Sequence, residues 1–397
     1  MAADAKFAVA VLTAMNLLNY FDRYVPSAVK DLFKTDLGLT DAETSWPLTA
    51  FVVVYMITSP IFGSLADRVP RRVLIAGGVA LWSLATGGAA LATGFWTFLL
   101  ARALVGVGEA AYATLAPPLI SDYFPPERRN RVLTLFYVAI PVGAALGFAI
   151  GGWLGKLWGW RVAFLACGLP GVLAALLALK IRDPGKQPAA GDPPPPGWPE
   201  AARTLLANRS FVFAVAGYTL VTFASGGMAD WLPTWLARAR GMDLAAAGSA
   251  VGTVTVVGGL GGTLAGGWLA DRLAGRTKNH YLALSALSMG PAAVLAGVAL
   301  LLPGAGMAVA CVGVAQFFMW FYNGPINTVI ANSVPAEMRA RAFSLSILCI
   351  HLFGDAISPP IIGQISDVTG DLTLAVAIVP VMLAAGAATW ALGWRRL

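Results

Sequence analysis

The sequence predicts an all-α integral membrane protein with twelve transmembrane helices arranged as two pseudo-symmetric six-helix bundles. Hydrophobic residues make up 58% of the 397 positions and charged residues only 12%, a composition that soluble domains of this size do not show. Apolar segments of roughly 20 residues, the length needed to cross a bilayer, recur along the chain. Two basic loop sequences also occur twice, which indicates that one bundle is a duplicate of the other.

Each loop sequence has its counterpart about 200 residues further along the chain. The segment at 124–131 reads FPPERRNR and that at 334–341 reads VPAEMRAR, while GSLADR at 63–68 matches GWLADR at 267–272. Internal repeats of this kind are the construction plan of secondary transporters, in which two bundles rock about a central site.

Twelve segments are expected to be helices, because backbone polar groups in lipid must bond within their own segment. The first carries Asp22 and Arg23 without a following small-residue cleavage site, so we expect a span rather than a cleaved signal peptide. The predicted spans are residues 7–30, 46–67, 73–92, 95–121, 131–155, 160–181, 209–236, 245–270, 281–302, 305–333, 341–366 and 372–394.

A polar segment with four consecutive prolines at 193–196 separates the halves, and such a segment cannot remain helical. We therefore predict an N-terminal bundle at 1–183, a cytoplasmic proline-rich linker at 184–204 and a C-terminal bundle at 205–397. The chain has 27 Lys and Arg against 20 Asp and Glu. Most of the basic residues fall in loops on the side of the termini, so the positive-inside rule places both termini in the cytoplasm. The basic excess thus reflects topology and not nucleic-acid binding.

Ionisable side chains inside a span cost roughly 2.5–3.5 kcal/mol on insertion scales, so the few present point to function. At 1.5 Å per residue, Asp22 and Arg102 lie roughly 10 Å below the same outer end, and Glu109 lies two turns deeper than Arg102. A buried carboxylate beside an arginine can bind and release a proton as a cavity alternates between sides. We expect Asp22 and Glu109 to titrate with Arg23 and Arg102 as partners. A static Asp22–Arg102 ion pair that only fixes packing is the open alternative.

Arginine also binds phosphate or carboxylate through two parallel hydrogen bonds, so Arg23 or Arg102 could hold an anionic head group. His351 and Asp355 share one face of the eleventh helix and could form a second relay or a polar lining. A packed, hydrogen-bonded histidine is equally consistent with this pattern. Aromatic residues of the fifth and tenth helices suit an amphipathic cavity, although ordinary packing explains such residues too. The candidate substrate-binding residues are Arg23, Arg102, Tyr112, Phe136, Tyr137, His351 and Asp355.

Charged residues at the cytoplasmic ends of the helices could pair between the halves and hold one conformation closed. The alternative is that they only set the topology, which explains the basic residues but not an acid before an arginine in both halves. The candidate gating residues are Asp67, Arg68, Arg71, Arg72, Asp271, Arg272, Glu127, Arg131, Glu337 and Arg341.

An enzyme of the membrane is the competing class of protein. The sequence has neither a Gly-x-Ser-x-Gly elbow nor an intramembrane His–Glu pair at ligand spacing, so it does not favour hydrolytic chemistry. Cys167, Cys311 and Cys349 fall inside predicted spans without paired spacing, which argues against a disulfide framework and against a metal site. No cofactor is expected, and a proton gradient would supply the energy.

Several motifs resemble those of the major facilitator superfamily. Residues 63–72 are similar to its loop motif between the second and third helices, with Pro70 at the usual glycine. Residues 102–108 are similar to its fourth-helix motif, where the arginine is implicated in proton coupling. Residues 143–152 resemble the fifth-helix motif associated with antiporters, with Phe148 where proline is typical. The resemblance implies the two-bundle fold and transport by alternating access.

A narrower resemblance points to the Spinster family, through residues 19–23, 108–117, 131–143 and 351–359. In that family the substrates are sphingosine-1-phosphate and lysophospholipids, and the resemblance assigns the four charged interior residues to proton coupling and head-group contact. It implies a monomer in a bacterial cytoplasmic (inner) membrane, surrounded by lipid and without a nucleic-acid partner. We therefore expect a proton-coupled carrier of an anionic, lipid-like amphiphile. A carrier of a small organic anion or a drug-like compound is the alternative.

Overall fold

The computed structural model describes residues 2–66, 68–184, 198–273, 279–335 and 338–396, except the side chains of residues 2, 3, 126–131, 134, 339 and 340. Within these residues the regular structure is helical throughout, with no β-strand. The α-helices are α1 (Ala2–Ala28), α2 (Lys30–Leu37), α3 (Asp41–Leu65), α4 (Arg71–Ala89), α5 (Phe95–Asp122), α6 (Pro126–Trp158), α7 (Trp160–Ala178), α8 (Trp198–Ala207), α9 (Arg209–Arg240), α10 (Leu244–Leu273), α11 (His280–Leu301), α12 (Ala305–Met319), α13 (Asn323–Asn332), α14 (Arg339–Ile350), α15 (Ser358–Thr369), α16 (Leu372–Val376) and α17 (Ile378–Arg396).

Eleven candidate spans among the described residues are long and apolar enough to cross a membrane. They correspond to the second to twelfth predicted spans. The predicted first span is α1, whose 27 residues extend about 40 Å at the α-helical rise. Its polar residues Asn16, Asn19, Asp22 and Arg23 lower its mean hydropathy, which explains why it is not among the eleven. The all-helical membrane fold is therefore confirmed, and the one predicted span that is absent from the eleven carries two of the candidate site residues.

Local sequence signals set several helix ends. Thr40 and Glu43 form a capping box at the start of α3, where each side chain accepts a hydrogen bond from the other residue's backbone amide. Asn208 caps α9 by accepting from the Phe211 amide. The same helix ends at Gly241, whose φ of 64° lies in the left-handed region that glycine adopts without strain.

Two of the spans are interrupted in the middle. A short 3₁₀ segment at Trp320–Tyr322 joins α12 to α13. A π-helical turn at His351–Asp355 follows α14, with the Ala356 amide donating to the His351 carbonyl at 3.0 Å. Such π turns are rare inside helices and often occur at functional sites.

The chain divides into two compact units, the N-terminal half with Met242–Gly252 and the remaining C-terminal half. In the first unit α1 packs on α6, and α4 packs on α7. In the second, α9 packs on the π turn, and α11 packs on α17. When the spans are counted within each half, the first span packs on the fifth and the third packs on the sixth in both halves. A duplicated bundle requires this agreement.

Glycines spaced four apart allow helices within a half to approach closely. A Cβ on Gly143 would lie 2.5 Å from the Leu17 carbonyl oxygen of α1. The stripe of which it is part, Gly143, Gly147, Gly151 and Gly155, faces α1, and Gly258, Gly262 and Gly266 face α12 and the adjoining 3₁₀ segment. Plain packing within each half therefore accounts for both stripes.

The predicted domain limits, 1–183, 184–204 and 205–397, stay predictions. The prolines at 193–196 lie outside the described residues. Helix α8 begins inside the predicted linker, at Trp198, and ends at Ala207 in the predicted C-terminal bundle. It packs on α9 and α14.

Candidate functional site

Four charged side chains meet inside the N-terminal half. Asp22 and Arg23 are neighbours on α1, and Arg102 and Glu109 lie on α5. Arg23 donates from Nη2 to Glu109 Oε2 at 2.5 Å, and Arg102 donates from Nη1 to Asp22 Oδ1 at 3.3 Å. Asp22 and Arg102 are each 2% exposed and Glu109 is fully buried. The structure thus brings together the four residues that depth in the membrane had selected.

Helix geometry explains the crossed pairing. Arg102 and Glu109 are seven residues apart on α5, which places them two turns and about 10 Å apart on one face. On α1 the two partners are adjacent, so the long side chain of Arg23 reaches the deeper carboxylate while Asp22 meets the nearer guanidinium. Each of the two helices supplies one carboxylate and one guanidinium group. The four side chains together therefore carry no net charge when all of them are ionised.

Aromatic rings surround Arg23. Its guanidinium carbon lies 4.7 Å from the centre of the Tyr20 ring, 4.9 Å from Phe51 and 5.9 Å from Tyr55. The Phe51 ring is also 5.6 Å from the guanidinium carbon of Arg102. Ring faces attract cations more strongly when water is excluded, so this aromatic cage of Tyr20, Phe51 and Tyr55 lowers the cost of a buried guanidinium.

The two ion pairs differ in how many of their polar atoms have a hydrogen-bond partner. Asp22 uses both oxygens, because Oδ2 accepts from the Thr86 hydroxyl at 2.5 Å while Oδ1 faces Arg102. In Glu109 only Oε2 accepts a hydrogen bond. Its other oxygen, Oε1, is buried and has no hydrogen-bond partner in the described part of the chain. Arg23 Nε is buried and unpartnered in the same way. A buried acceptor without a donor is costly, and protonation of that oxygen would allow it to become a donor.

The candidate aromatic residues of the N-terminal half take different positions. Tyr112 is buried and donates from its hydroxyl to the Leu12 carbonyl at 2.6 Å, which links α5 to α1. Phe136 is buried and stacks edge-on against Tyr137, with 5.1 Å between ring centres. Tyr137 is exposed. Of these three residues, Tyr137 has a ring that is accessible from outside the protein. A substrate-binding role for each of the three stays a prediction.

The other candidate polar pair lies in the C-terminal half, on the π turn. His351 Nδ1 is 3.0 Å from both carboxylate oxygens of Asp355, and the two side chains are 32% and 26% exposed. The turn packs closely on α9, since a Cβ on Gly226 would lie 2.5 Å from the Asp355 Cβ. Two tyrosines of the same half, Tyr218 and Tyr322, stack edge-on with 5.2 Å between ring centres.

Arg71, one of the predicted gating residues, forms ion pairs within its own half, and its gating role stays a prediction. It is buried at the start of α4 and donates to Asp122 at 2.6 Å and to Asp183 at 2.5 Å. Both partners belong to the N-terminal half, so Arg71 ties the end of α5 to the segment after α7. Sequence reasoning did not select Asp122 or Asp183, because nothing in their own neighbourhoods marks them.

The remaining candidate gating residues are only partly described. Asp67, Glu337 and the side chains of Glu127 and Arg131 lie outside the described residues. Arg272 stacks on Trp268 with 4.0 Å from its guanidinium carbon to the ring centre, and Arg341 stacks on Trp198 at 4.5 Å. The side chains of Arg68, Arg72, Asp271 and Arg272 are exposed. A gating role for any of them stays a prediction.

Nothing in the described residues suggests a metal centre. Groups of three or more His, Cys, Asp or Glu side chains that could hold an ion are absent there. Cys167, Cys311 and Cys349 are free.

Comparison with known proteins defines the class. The family model of the Major Facilitator Superfamily matches residues 12–359. A solved bacterial homologue of the human lysosomal transporter Spinster, in an inward-facing occupied conformation, superposes with a TM-score of 0.86. Sequence identity is 22% and the match covers 99% of this chain and 97% of that one. At this identity the likeness shows the fold, which is the all-helical membrane fold of that structure.

Sequence relatives narrow the class. Human protein spinster homolog 1 is 34% identical over 392 residues, covering 90% of this chain and 72% of the human protein. Zebrafish protein spinster homolog 3 is 31% identical over 380 residues, covering 91% of this chain and 76% of its own length. The chain therefore belongs to the major facilitator superfamily and, within it, to the Spinster family.

Proposed function

We propose that this protein is a proton-coupled secondary transporter that works by alternating access and moves an anionic, lipid-like amphiphile such as sphingosine-1-phosphate or a lysophospholipid. The observation that carries the proposal is the Arg23–Glu109 pair. It is buried and charged, yet one carboxylate oxygen and one guanidinium nitrogen have no partner. A pair that serves only for packing would be expected to satisfy both.

The proton is assigned to Glu109. When Oε1 takes a proton, the carboxyl group becomes neutral and its attraction for Arg23 falls. The aromatic cage then holds the released guanidinium without the carboxylate. Loss of the proton restores the pair, so the position of Arg23 reports the charge on Glu109.

The head group of the substrate is assigned to the two arginines. Arg23 has an unpartnered Nε, and Arg102 makes a single long contact of 3.3 Å with Asp22. Both guanidinium groups therefore keep donors for a phosphate, which they bind in a planar, two-bond geometry. A substrate anion would compete with Glu109 for Arg23, and this competition couples the substrate to the proton.

The rest of the amphiphile is assigned to apolar and weakly polar surfaces. In the C-terminal half, the partly exposed side chains of His351, Asp355 and Tyr218 offer polar groups. In the N-terminal half the exposed ring of Tyr137 offers an apolar surface. The resemblance to the Spinster family supports a lipid-like substrate. We also propose a monomer in a bacterial cytoplasmic membrane with both termini cytoplasmic, on the distribution of basic residues.

Uptake into proteoliposomes tests this function. Labelled sphingosine-1-phosphate and a labelled lysophospholipid would each be presented with and without an imposed pH gradient. Wild-type protein should move at least one of them faster with the gradient, and Glu109→Gln should remove that acceleration. Liposomes without protein control for spontaneous insertion of the lipid. If folded wild-type protein moved neither lipid but moved a small organic anion, the lipid assignment would be wrong.

A further inference from the structure

Helix α8 lies where two membrane spans begin. It runs from Trp198 to Ala207 and packs on α9 and α14. One residue, Asn208, separates it from the span that begins at Arg209, and the span that contains α14 begins at Arg341. Because a span begins at the boundary of the hydrocarbon layer, α8 lies at that boundary, in the leaflet where α9 begins.

The residues of α8 form four rows around the helix, because residues four apart stack on the same face. The row of Ala201 and Leu205 is fully buried, so this face packs against the protein. The neighbouring row contains Trp198, Ala202 and Leu206 and is apolar throughout. Its two large side chains are nevertheless open, since Trp198 is 49% exposed and Leu206 is 66% exposed.

The two remaining rows of α8 carry the polar side chains. Arg203 lies in the row beside the exposed apolar row, and Glu200 and Thr204 form the row beyond it; all three are exposed. A helix between protein and water needs one apolar face and one polar face. Helix α8 has three faces: one is buried in protein, one is apolar and exposed, and one is polar. This arrangement suits a helix at the membrane surface, where protein, hydrocarbon and water meet.

Three arginines place positive charge around this helix. Arg203 is on α8 and Arg209 begins α9, and both are exposed. The guanidinium carbon of Arg341 lies 4.5 Å from the ring centre of Trp198, at one end of the exposed apolar row. Within the described part of the chain, none of the three arginines pairs with an acid. Since Glu200 is the single acid of α8, the local charge is positive, as in helices that bind anionic lipid surfaces.

We propose that α8 is a membrane-surface helix that binds an anionic phospholipid of the leaflet in which α9 begins. The row of Trp198 and Leu206 lies against the acyl chains next to the head group, and Arg203 and Arg341 bind the phosphate by charge-assisted hydrogen bonds. Because α8 directly precedes α9, this contact fixes the start of the C-terminal half at the membrane surface. The site is separate from the charged cluster of the N-terminal half and does not depend on the proposed transport function.

Spin labels read by electron paramagnetic resonance test where the apolar row lies. The three natural cysteines would be replaced by alanine, and the full chain would carry one nitroxide, at Leu206→Cys or at Thr204→Cys. The protein would be placed in nanodiscs of phosphatidylglycerol and phosphatidylcholine. Oxygen concentrates in hydrocarbon and a nickel chelate stays in water, so the ratio of oxygen to nickel relaxation should be several times higher at 206 than at 204.

A label at Val294→Cys gives the lipid reference, because Val294 lies within the span α11 and is 65% exposed, much like Leu206. The ratio at 206 should lie close to this reference. A label at 206 that prefers the nickel chelate as the label at 204 does would show that the row faces water. A label at 206 that is shielded from both reagents would show that protein covers the row. Either result would overturn the proposal.

Photoreactive lipids test the head group. Phosphatidylglycerol and phosphatidylcholine with identical acyl chains, each with a photoreactive group beside the phosphate, would be added in equal amounts to the protein in nanodiscs. Mass spectrometry would then locate the attached lipid. Phosphatidylglycerol should label residues 198–209 in preference to phosphatidylcholine. Arg203→Gln and Arg341→Gln should each lower this preference about fivefold, and Glu200→Gln should raise it.

Arg161→Gln is the matched control for these variants, because it removes an arginine that is already paired with Asp36. It should label residues 198–209 as the wild type does. Equal labelling of this segment by the two lipids in wild-type protein would overturn the proposal. A preference that stayed unchanged in both Arg203→Gln and Arg341→Gln would overturn it as well.

Discussion

The two halves share a helix arrangement but differ in the charge of their interiors. The N-terminal half buries two acids and two arginines as crossed ion pairs between α1 and α5. The C-terminal half has a histidine and an aspartate on a π turn, with side chains about one quarter to one third exposed. The two halves therefore share their helix packing, whereas the crossed acid–arginine pairs described here lie in the N-terminal half; the C-terminal half also buries Asp230 on α9.

The difference predicts a division of labour. Buried, paired charges respond strongly to the gain of one proton, because their attraction is screened little. The exposed His351–Asp355 pair is screened by solvent and worth less. We infer that the N-terminal half carries proton coupling and that the C-terminal half contributes mainly to the shape and polarity of the substrate path.

Removing the acid that titrates should have the largest effect. Glu109→Gln keeps the size of the side chain but cannot bind or release a proton, so gradient-driven uptake should fall about a hundredfold or more, in line with breaking a buried charge pair. Uptake in proteoliposomes with and without a pH gradient measures this. Downhill exchange of labelled substrate without a gradient should persist, which separates loss of coupling from loss of folding.

Changing the shape of a retained charge should have a smaller effect. Arg102→Lys keeps the cation but loses the planar fork, so the apparent affinity for a phosphate-bearing substrate should fall about tenfold. Saturation curves for uptake measure the change. Arg161→Lys, on the surface of the same half, serves as control. An Arg102→Lys protein with wild-type affinity would contradict a two-bond contact with the head group.

Substitutions on the π turn should have modest effects. His351→Gln should raise the KM about two- to threefold, as expected for a partly exposed pair worth less than 1 kcal/mol, and should leave the response to a pH gradient intact. Asp355→Asn should match it, because both remove the same contact. If His351→Gln abolished the gradient response as completely as Glu109→Gln, the proposed division between the halves would be wrong.

The exposed pair of Arg161 and Asp36 should have the smallest effect. Both side chains are more than two fifths exposed, and the hydrogen bond from Arg161 lowers the pKa of Asp36. A lowered carboxyl pKa stabilises the fold above the unfolded-state pKa and ceases to do so as pH falls through the folded value. Arg161→Gln should therefore change thermal stability slightly at neutral pH and not at all at strongly acidic pH. A scan of unfolding midpoints against pH measures this, and transport should be unaffected.

Much of the site was predictable from the sequence because depth in a membrane can be counted along a helix. A fixed rise per residue placed Asp22 and Arg102 at one depth and Glu109 two turns deeper on the same helix face, and the cost of burying charge marked them as functional. The Asp22–Arg102 pair could be named from depth alone and is present, but the pairing of Arg23 with Glu109 was not predicted. That pairing depends on the rotation of α1 against α5 and on the reach of Arg23, and both are properties of the packed bundle.

Other features depend on contacts that no local pattern encodes. The ion-pair partners of Arg71, Asp122 and Asp183, lie 51 and 112 residues away in the sequence and were not predicted, while the gating role of Arg71 stays a prediction. The π turn at His351–Asp355 was also not predicted, since spacing of four fits an ordinary helix equally well. Close packing against Gly226 accompanies the turn, and this contact becomes visible only when α9 is in place.

The most direct test of the central claim measures proton movement itself. Proteoliposomes loaded with a pH-sensitive dye would receive unlabelled substrate without any imposed gradient, using wild-type protein, Glu109→Gln and His351→Gln. The proposal predicts a substrate-dependent change of internal pH for wild type and for His351→Gln, and none for Glu109→Gln. A pH change of wild-type size in Glu109→Gln would show that the proton is carried elsewhere and would contradict the account.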